Sequence, residues 1–433
     1  MRNKFNRIWA LPLLFVLAIG AYYIPPVHDR LAWRVDEART RLKYFFNPPD
    51  QAVFQPTQQV DFESVLATTR ASYLMTLTPQ ATSTPQTGPT LAPTITPTPL
   101  PASVVLEGVK YEDQHNRWNY CGPANFSMAL TFWGWEGNRD VIGRAVKPSD
   151  KDKNVMPYEL QDFISENVPD MGSVIRHGGD VNTLKRFVAA GLPVVIEKGY
   201  YERDYTGKVG WMGHYQFVTG YDDAAREFIV QDTYNDGPNF RIEYGKLMEG
   251  WRSFNYLFVV VYPLDRQSEV MALLGNLADE EAAARHALNV AQAESRTLTG
   301  NDRFFAWFNV GTSHVALREY VDAAAAYDTA FAIYGELDSS DTTRPYRIVW
   351  YQTGPYFAYY YSGRYADVIN LANTTLNETI ASPDLEESLL WRGRAYSMAG
   401  QTNLAVADYR AALKIHPKWT PAVQALQDLG VQP

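Results

Sequence analysis

The sequence predicts two folded parts in series: an α+β domain over residues 104–265 and an all-α repeat domain over residues 268–430. Three observations carry this. In the first part helix-like stretches come before strand-like ones, the order of an α+β domain. After residue 268 the pattern is helical throughout, and a set of Gly, Tyr and Ala positions recurs in it. Ahead of both lies a Thr/Pro-rich stretch that cannot build a core.

The totals are those of a globular protein: 433 residues, 46% hydrophobic, 20% charged and 14% aromatic. A net charge of −9 with no long Lys/Arg run argues against a nucleic-acid partner.

The chain opens with "MRNKFNRIWALPLLFVLAIGAYYIPP", in which Arg2, Lys4 and Arg7 precede an uncharged run from Ile8 to Ile24. Cations before an apolar run are an export signal with the short N-terminus left in the cytoplasm. The run is long for a signal-peptide core and short for a membrane span, so residues 1–25 are expected to be a signal anchor or a cleaved signal peptide. The expected location is the cell membrane, single-pass with extracytoplasmic domains, or secreted if cleavage occurs. Residues 26–75 follow as a membrane-proximal helix and stalk: Leu31, Val35, Ala38, Leu42 and Phe45 recur at helical spacing up to "NPP". Residues 76–103 form a Thr/Pro-rich linker whose extended chain supplies reach.

Within 104–265, "CGPANFSMALTFWGW", "MPYELQDFISEN" and "VNTLKRFVAAG" read as helices, the last closed by Gly191. "LPVVIEK", "HYQFVTGYD", "REFIVQDT" and "YLFVVVYPL" read as strands, with "DDAA" turning between two of them. Within 268–430, Gly393, Tyr396, Gly400, Ala405, Tyr409, Ala412 and Pro417 fall at the offsets of the tetratricopeptide pattern. An earlier copy carries Gly311, Tyr320, Ala323, Tyr327 and Ala330, and a looser one Tyr359, Gly363, Tyr365 and Ala372. Small residues at these places let paired helices approach, and aromatics fill the space between pairs. Such a surface is expected to bind protein partners or substrate. His286, His314 and His416 in this region read as packing or surface histidines.

Cys121 is the one cysteine, so no internal disulfide is available, and an exported free thiol is exposed to oxidation unless buried or used. Pro123 belongs in a first helical turn, which puts Cys121 at a helix N-terminus. There the helix dipole and unsatisfied N–H groups favour the thiolate. A thiolate enzyme also needs a base, an orienting group and an oxyanion hole. His214, at the head of the "HYQFVTGYD" strand, is the best base; His115 and His177 are rivals. Asp232, at the end of the next strand, can orient the imidazole. Gln114, seven residues before the cysteine, or Asn116, five before it, can supply a side-chain amide. One cysteine and scattered histidines supply no ligand pair at i, i+3 or i+4, so neither metal nor cofactor is expected.

Gln, Cys-Gly-Pro-Ala opening a helix, Gly-His leading a hydrophobic strand, and Asp closing the next one resemble the papain-like cysteine peptidases of the bacteriocin (double-glycine leader) processing family. The resemblance covers about residues 104–263. It implies a papain-like fold with Cys121 as nucleophile, His214 as general base, Asp232 as its orienter and Gln114 with the Cys121 N–H as oxyanion hole. The family's glutamine stands five or six residues before the cysteine, so Gln114 is one or two residues early. The expected function is a membrane-tethered extracytoplasmic cysteine peptidase acting on a protein or peptide substrate through a thioester. The alternatives are a papain-like amidase or transamidase, and an inactive protein-binding scaffold. With one apolar segment and no Walker-type glycine loop, the chain lacks the transporter modules that accompany leader processing during export.

Overall fold

The computed structural model describes residues 12–13, 16–57, 99–149, 152–203, 207–340, 343–382 and 384–433. Most of the Thr/Pro linker lies outside the described residues, as does part of the apolar run 8–24. Among the described residues no helix is long and apolar enough to cross a membrane.

The first part is an antiparallel sheet with helices on both faces. Its strands are β1 (Ser103–Val105), β2 (Met171–Arg176), β3 (Val194–Arg203), β4 (Val209–Asp222), β5 (Glu227–Gln231), β6 (Phe240–Glu243) and β7 (Phe258–Pro263). They lie in the order β2-β7-β3-β4-β5-β6, and β1 pairs with the far end of β4. Helix α1 (Pro25–Phe46) precedes the sheet; α2 (Cys121–Phe132), α3 (Arg139–Val146), α4 (Pro157–Asn167), α5 (Val181–Ala189) and α6 (Tyr244–Arg252) are interleaved with it. Alternation along the strands splits the core in two. Val194, Ile196, Val218, Phe258 and Val260 face Leu184, Phe187 and Trp251, whereas Val195, Phe217, Val259 and Val261 face the side of Phe126, Leu130 and Leu160. Burial on both faces is why "FVVVY" is a continuous apolar run.

The sequence reading missed β1, β2, β6, α3 and α6. They are short, and two are half-polar edge strands, "MGSVIR" and "FRIE", whose pairing comes from β7 and β5 rather than from their own pattern. It also started β4 too late. His214 is not at the head of that strand but in its sixth place, because Gly210 and Gly213 look like loop punctuation. Gly213 is there for space: a Cβ would come 2.7 Å from Phe254 Cζ and 2.8 Å from Tyr351 Cδ1.

The second part runs through α7 (Gln267–Leu274), α8 (Glu280–Thr297), α9 (Gly300–Ala316), α10 (Tyr320–Glu336), α11 (Ile348–Tyr351), α12 (Gly354–Tyr361), α13 (Tyr365–Asn373), α14 (Glu386–Met398), α15 (Thr402–Ile415) and α16 (Thr420–Asp428). In α9–α10 a Cβ on Gly311 would stand 2.7 Å from the Tyr327 ring, and in α14–α15 one on Gly393 would stand 2.5 Å from the Tyr409 ring. The middle pair, α12–α13, exchanges the sizes: Tyr356 holds the glycine's place and Ala372 the tyrosine's, both fully buried. That exchange weakens the pattern of the middle copy, which in the sequence matches only loosely. The turns between the paired helices place Arg318, Gly363 and Gly400 in left-handed backbone at matching points.

The two parts share a core. Trp211 of β4 lies between Phe254, Phe305 of α9 and Tyr351 of α11, with ring centroids 5.6–5.7 Å apart. Arg347 donates to the Trp211 carbonyl at 3.3 Å, Asn309 to the Arg252 carbonyl at 2.7 Å, and Asn255 to Ser313 Oγ at 2.9 Å. The segment after α1 docks as well: Phe54 packs edge-on against Phe331 at 5.0 Å, and Thr57 bonds to Asp367. α1 docks through Lys43 and Tyr44, which donate to the carbonyls of Ile380 and Thr379. Its expected apolar stripe does not face the body; Leu31, Val35, Leu42 and Phe45 are exposed.

Gly393→Ala is expected to destabilise the chain by about 1–3 kcal/mol, since the Tyr409 ring must move to admit a methyl group. Thermal unfolding of this variant and of Gly393→Ala/Tyr409→Leu checks it, with the double variant recovering part of the loss.

Candidate active site

Cys121 is the first residue of α2, with Pro123 inside the first turn, where its missing N–H costs no helical bond. The helix is buried from Gly122 to Thr131, so it runs through the core rather than over it. What holds its start is Asn125. The Asn125 side-chain amide donates to the Cys121 carbonyl at 2.8 Å and to the Tyr215 carbonyl of β4 at 2.9 Å. Gly122 permits the approach: a Cβ there would meet the Tyr215 ring at 3.4 Å and Leu160 at 3.3 Å. The thiol end of α2 is thereby pinned next to the residue that follows His214.

His214 and Asp232 are buried, 3% and 4% exposed, with His214 Nε2 3.1 Å from Asp232 Oδ2. Asp232 stands one residue past β5. Because Phe217 is opposite Gln231, the carboxylate comes level with Gln216 and His214. Gln216 also donates to Asp232 Oδ2, at 2.6 Å, and the N–H groups of Tyr234 and Asn235 donate to Oδ1, both at 2.9 Å. With Nε2 committed to Asp232, the hydrogen bond between His214 and Cys121 falls to Nδ1.

Charge follows from this geometry. Burial alone would push the His214 pKa down, but the Asp232 carboxylate and the hydrogen bonds to Asp232 and Cys121 raise it to about 9. Burial likewise pushes the Asp232 and Cys121 pKa values up. His214 beside each outweighs it, holding Asp232 well below the usual carboxylate range and the thiol below its ordinary value. Backbone groups of Tyr215 and Gly122 add to the thiol's shift. Both shifts favour the thiolate and imidazolium over the neutral pair, and the two groups titrate as a unit. Glu197 of β3, buried beside it, has its carboxyl pKa pushed well above the usual range by burial and by the Cys121 charge.

Gln114 reaches the same place from the other side. Its N–H donates to the Thr233 carbonyl and its Oε1 accepts from Thr233 Oγ1, both at 2.8 Å, which leaves the Nε2 end of the amide to donate. Between Gln114 and Cys121 two residues take left-handed backbone, Asn116 (φ 63°) and Asn119 (φ 50°). Asn116 is exposed at the tip of the first of these turns. His115 is exposed, pairs with Asp113 and stacks on Tyr234. His177 is lowered to about 4 by burial and by Arg176, and the glycine after it packs on His286.

Three contributors escaped the sequence reading: Asn125, Gln216 and Tyr351. The first two left a signal, a lone amide in an apolar helix and an amide two residues after the histidine on one strand face. Tyr351 left none, since it arrives from the helical part. Beside the site a cavity of about 110 Å3 is lined by Trp118, Asn119, Met212 and Tyr351, and on its far side by Thr40 and Tyr44 of α1.

Residues 106–257 match the Peptidase_C39 like family. The match spans the strands and helices that carry Cys121, His214 and Asp232. Among solved structures, the chain is similar to a protein described as a C39-like peptidase from Bacillus anthracis, at 16% identity and a TM-score of 0.31, over 37% of this chain and 97% of that one. It is also similar to xylellain, a cysteine protease from Xylella fastidiosa, at 15% identity and a TM-score of 0.30, over 38% of this chain and 87% of the other. No curated protein matches the chain.

The raised pKa of His214 makes its bond to Asp232 a pH-dependent part of stability. The contribution is complete below about 6.5, the unfolded value, and is lost as pH rises through about 9. The Asp232 share runs the other way: present above about 4, it is lost as pH falls through the lowered folded value. NMR titration of the His214 ring is expected to give an apparent pKa near 9 in the wild type and a clearly lower one in Asp232→Asn. An unchanged value in the variant would mean that another group holds the proton.

Proposed function

We propose that the chain is a cysteine peptidase, tethered to the membrane by its N-terminal segment and working outside the cytoplasm. Its helical repeats hold the protein substrate or a protein partner. The observation that carries the catalytic reading is the buried contact of His214 with both Asp232 and Cys121. An imidazole charged at neutral pH beside a sulfur is a prepared nucleophile and acid in one.

The reaction follows from these positions. The Cys121 thiolate attacks the scissile carbonyl carbon, and the carbonyl oxygen becomes an oxyanion held by the Gln114 amide and the Cys121 N–H. The His214 imidazolium gives its proton to the leaving amine as the C–N bond breaks, leaving a thioester on Cys121 and a neutral imidazole. That imidazole then takes a proton from water, the hydroxide attacks the thioester, and the acid product leaves as the thiolate re-forms. Asp232 keeps the ring oriented and stabilises its charge throughout.

The tether rests on the cations ahead of the apolar run and on the exposed apolar stripe of α1, which suits a lipid surface. The repeat surface supplies the reach toward a protein substrate.

Cys121→Ala and His214→Ala are expected to abolish turnover of a peptide library and labelling by a thiol-directed peptidase probe. Gln114→Ala is expected to lower kcat by about 10²–10³-fold while Cys121 still labels, the signature of a lost oxyanion donor. Wild-type labelling no faster than a free thiol at neutral pH would rule out the enzyme reading. In the wild type, kcat/KM is expected to fall on the alkaline side near pH 9, as the imidazolium loses the proton it must give to the leaving amine.

A further inference from the structure

A second cluster of chemistry-bearing side chains lies where α4 of the C39-like segment meets the end of the repeat part. Glu159 sits in the first turn of α4, Glu386 opens α14, and His416 follows α15. Glu159 and His416 line a groove of about 840 Å3 bounded by α3 and α4 on one side and by α12 and α14–α16 on the other, with Glu386 buried next to His416. One donor atom from each of the three lies within 4.8 Å of the other two. His416 Nδ1 is 3.6 Å from Glu159 Oε1 and 3.5 Å from Glu386 Oε1.

Those separations are too long for good hydrogen bonds, and none is made. Glu159 Oε1, Glu386 Oε2 and His416 Nδ1 are all buried without a hydrogen-bond partner. Glu159 is 7% exposed and Glu386 1%. Leaving such groups unmet costs free energy, so a native cluster of them calls for an explanation. The orientations are held from behind. Glu159 Oε2 accepts from the Met156 N–H at 2.8 Å, which aims Oε1 at the histidine, and the His416 ring lies flat on Trp419, 6.0 Å between centroids. Charge points the same way. Asp152 and Glu387 are buried around the same spot, so the buried carboxylates there outnumber the one buried cation, Lys147.

The geometry points to a divalent metal site formed by Glu159, Glu386 and His416, with zinc the ion that suits it. Two carboxylates and one imidazole are the mixed O/N donor set zinc accepts. Donors about 2.0–2.2 Å from a tetrahedral zinc stand about 3.3–3.6 Å apart, the spacing found between His416 and each carboxylate. The open side faces the groove, through which an ion can enter, and Asp152, with Oδ2 also unpartnered, is near enough to feel the charge. Bound there, the ion would clamp the last repeat to the C39-like segment. No ligand spacing in the sequence announces such a site, because its members come from three elements and Glu159 stands more than two hundred residues before the other two.

The test uses the full-length chain carrying Cys121→Ala, so that zinc held by the thiol cannot be mistaken for this site. Expected are one zinc per chain by elemental analysis after equilibrium dialysis against Zn2+, and a rise in unfolding temperature with Zn2+ that EDTA reverses. Glu386→Gln and His416→Gln should each weaken zinc binding at least tenfold in chelator competition, with circular dichroism reporting that the variants remain folded. If zinc neither binds at one equivalent nor shifts the unfolding temperature, the proposal is overturned. Binding unchanged in folded variants, or Ca2+ binding as tightly as Zn2+, would overturn it equally, since calcium does not favour an imidazole ligand.

Discussion

The constraint on which the rest of the structure depends is the docking of the start of α2 against the middle of β4. One amide, Asn125, bridges the Cys121 carbonyl and the Tyr215 carbonyl. Because both carbonyls are backbone, the bridge sets main-chain positions and not merely a pair of side chains. The thiol at the tip of α2 and the imidazole of the neighbouring residue on β4 are therefore delivered to one another by a helix and a strand, both rigid. The Asn125 Oδ1 is buried without a partner. An apolar residue would avoid that cost but would also release the helix from the strand.

The two faces of β4 have different work. His214 and Gln216 point to one side, where Asp232 gathers bonds from both and from two backbone N–H groups. Trp211 and Tyr215 point to the other, where the ring of Tyr215 lies edge-on to Phe126 of α2 and Trp211 meets Tyr351 of the repeat part. Burial weakens every isolated charge in this region, so the charged state survives only as a set in which Asp232, His214 and Cys121 are mutually paired. The same low-polarity surroundings raise the carboxyl pKa of Glu197 one strand away, where the His214 charge offsets burial only in part.

The repeat part is not an appendage. Its helices from α9 onward share a continuous core with the α2 side of the sheet, whereas α7 packs on the opposite face, and α11 ends at Tyr351, against the strand that carries His214. A surface that binds a protein through the repeats would lie on the same rigid body as the thiol. α1 and the segment behind it are drawn into that body too, through Lys43, Tyr44, Phe54 and Thr57. The helix expected to stand near the membrane turns its polar face inward and its apolar stripe outward.

By itself the sequence determined the parts whose signals are local. A proline in a first helical turn marks the start of α2, alternation marks β3, β4 and β5, and the Gly/Tyr offsets mark the outer two helix pairs, each depending only on residues a few positions apart. Only the tertiary structure decided the rest. The level of Asp232 against His214 depends on a bulge in β4, and the middle helix pair on an exchange of Tyr356 for glycine and Ala372 for tyrosine. Tyr351 beside the site, and Glu159 beside Glu386 and His416, are meetings of elements far apart in the chain. Spacing along a sequence records local geometry; which distant faces bury one another is settled by how whole surfaces fit, and no short stretch carries that information.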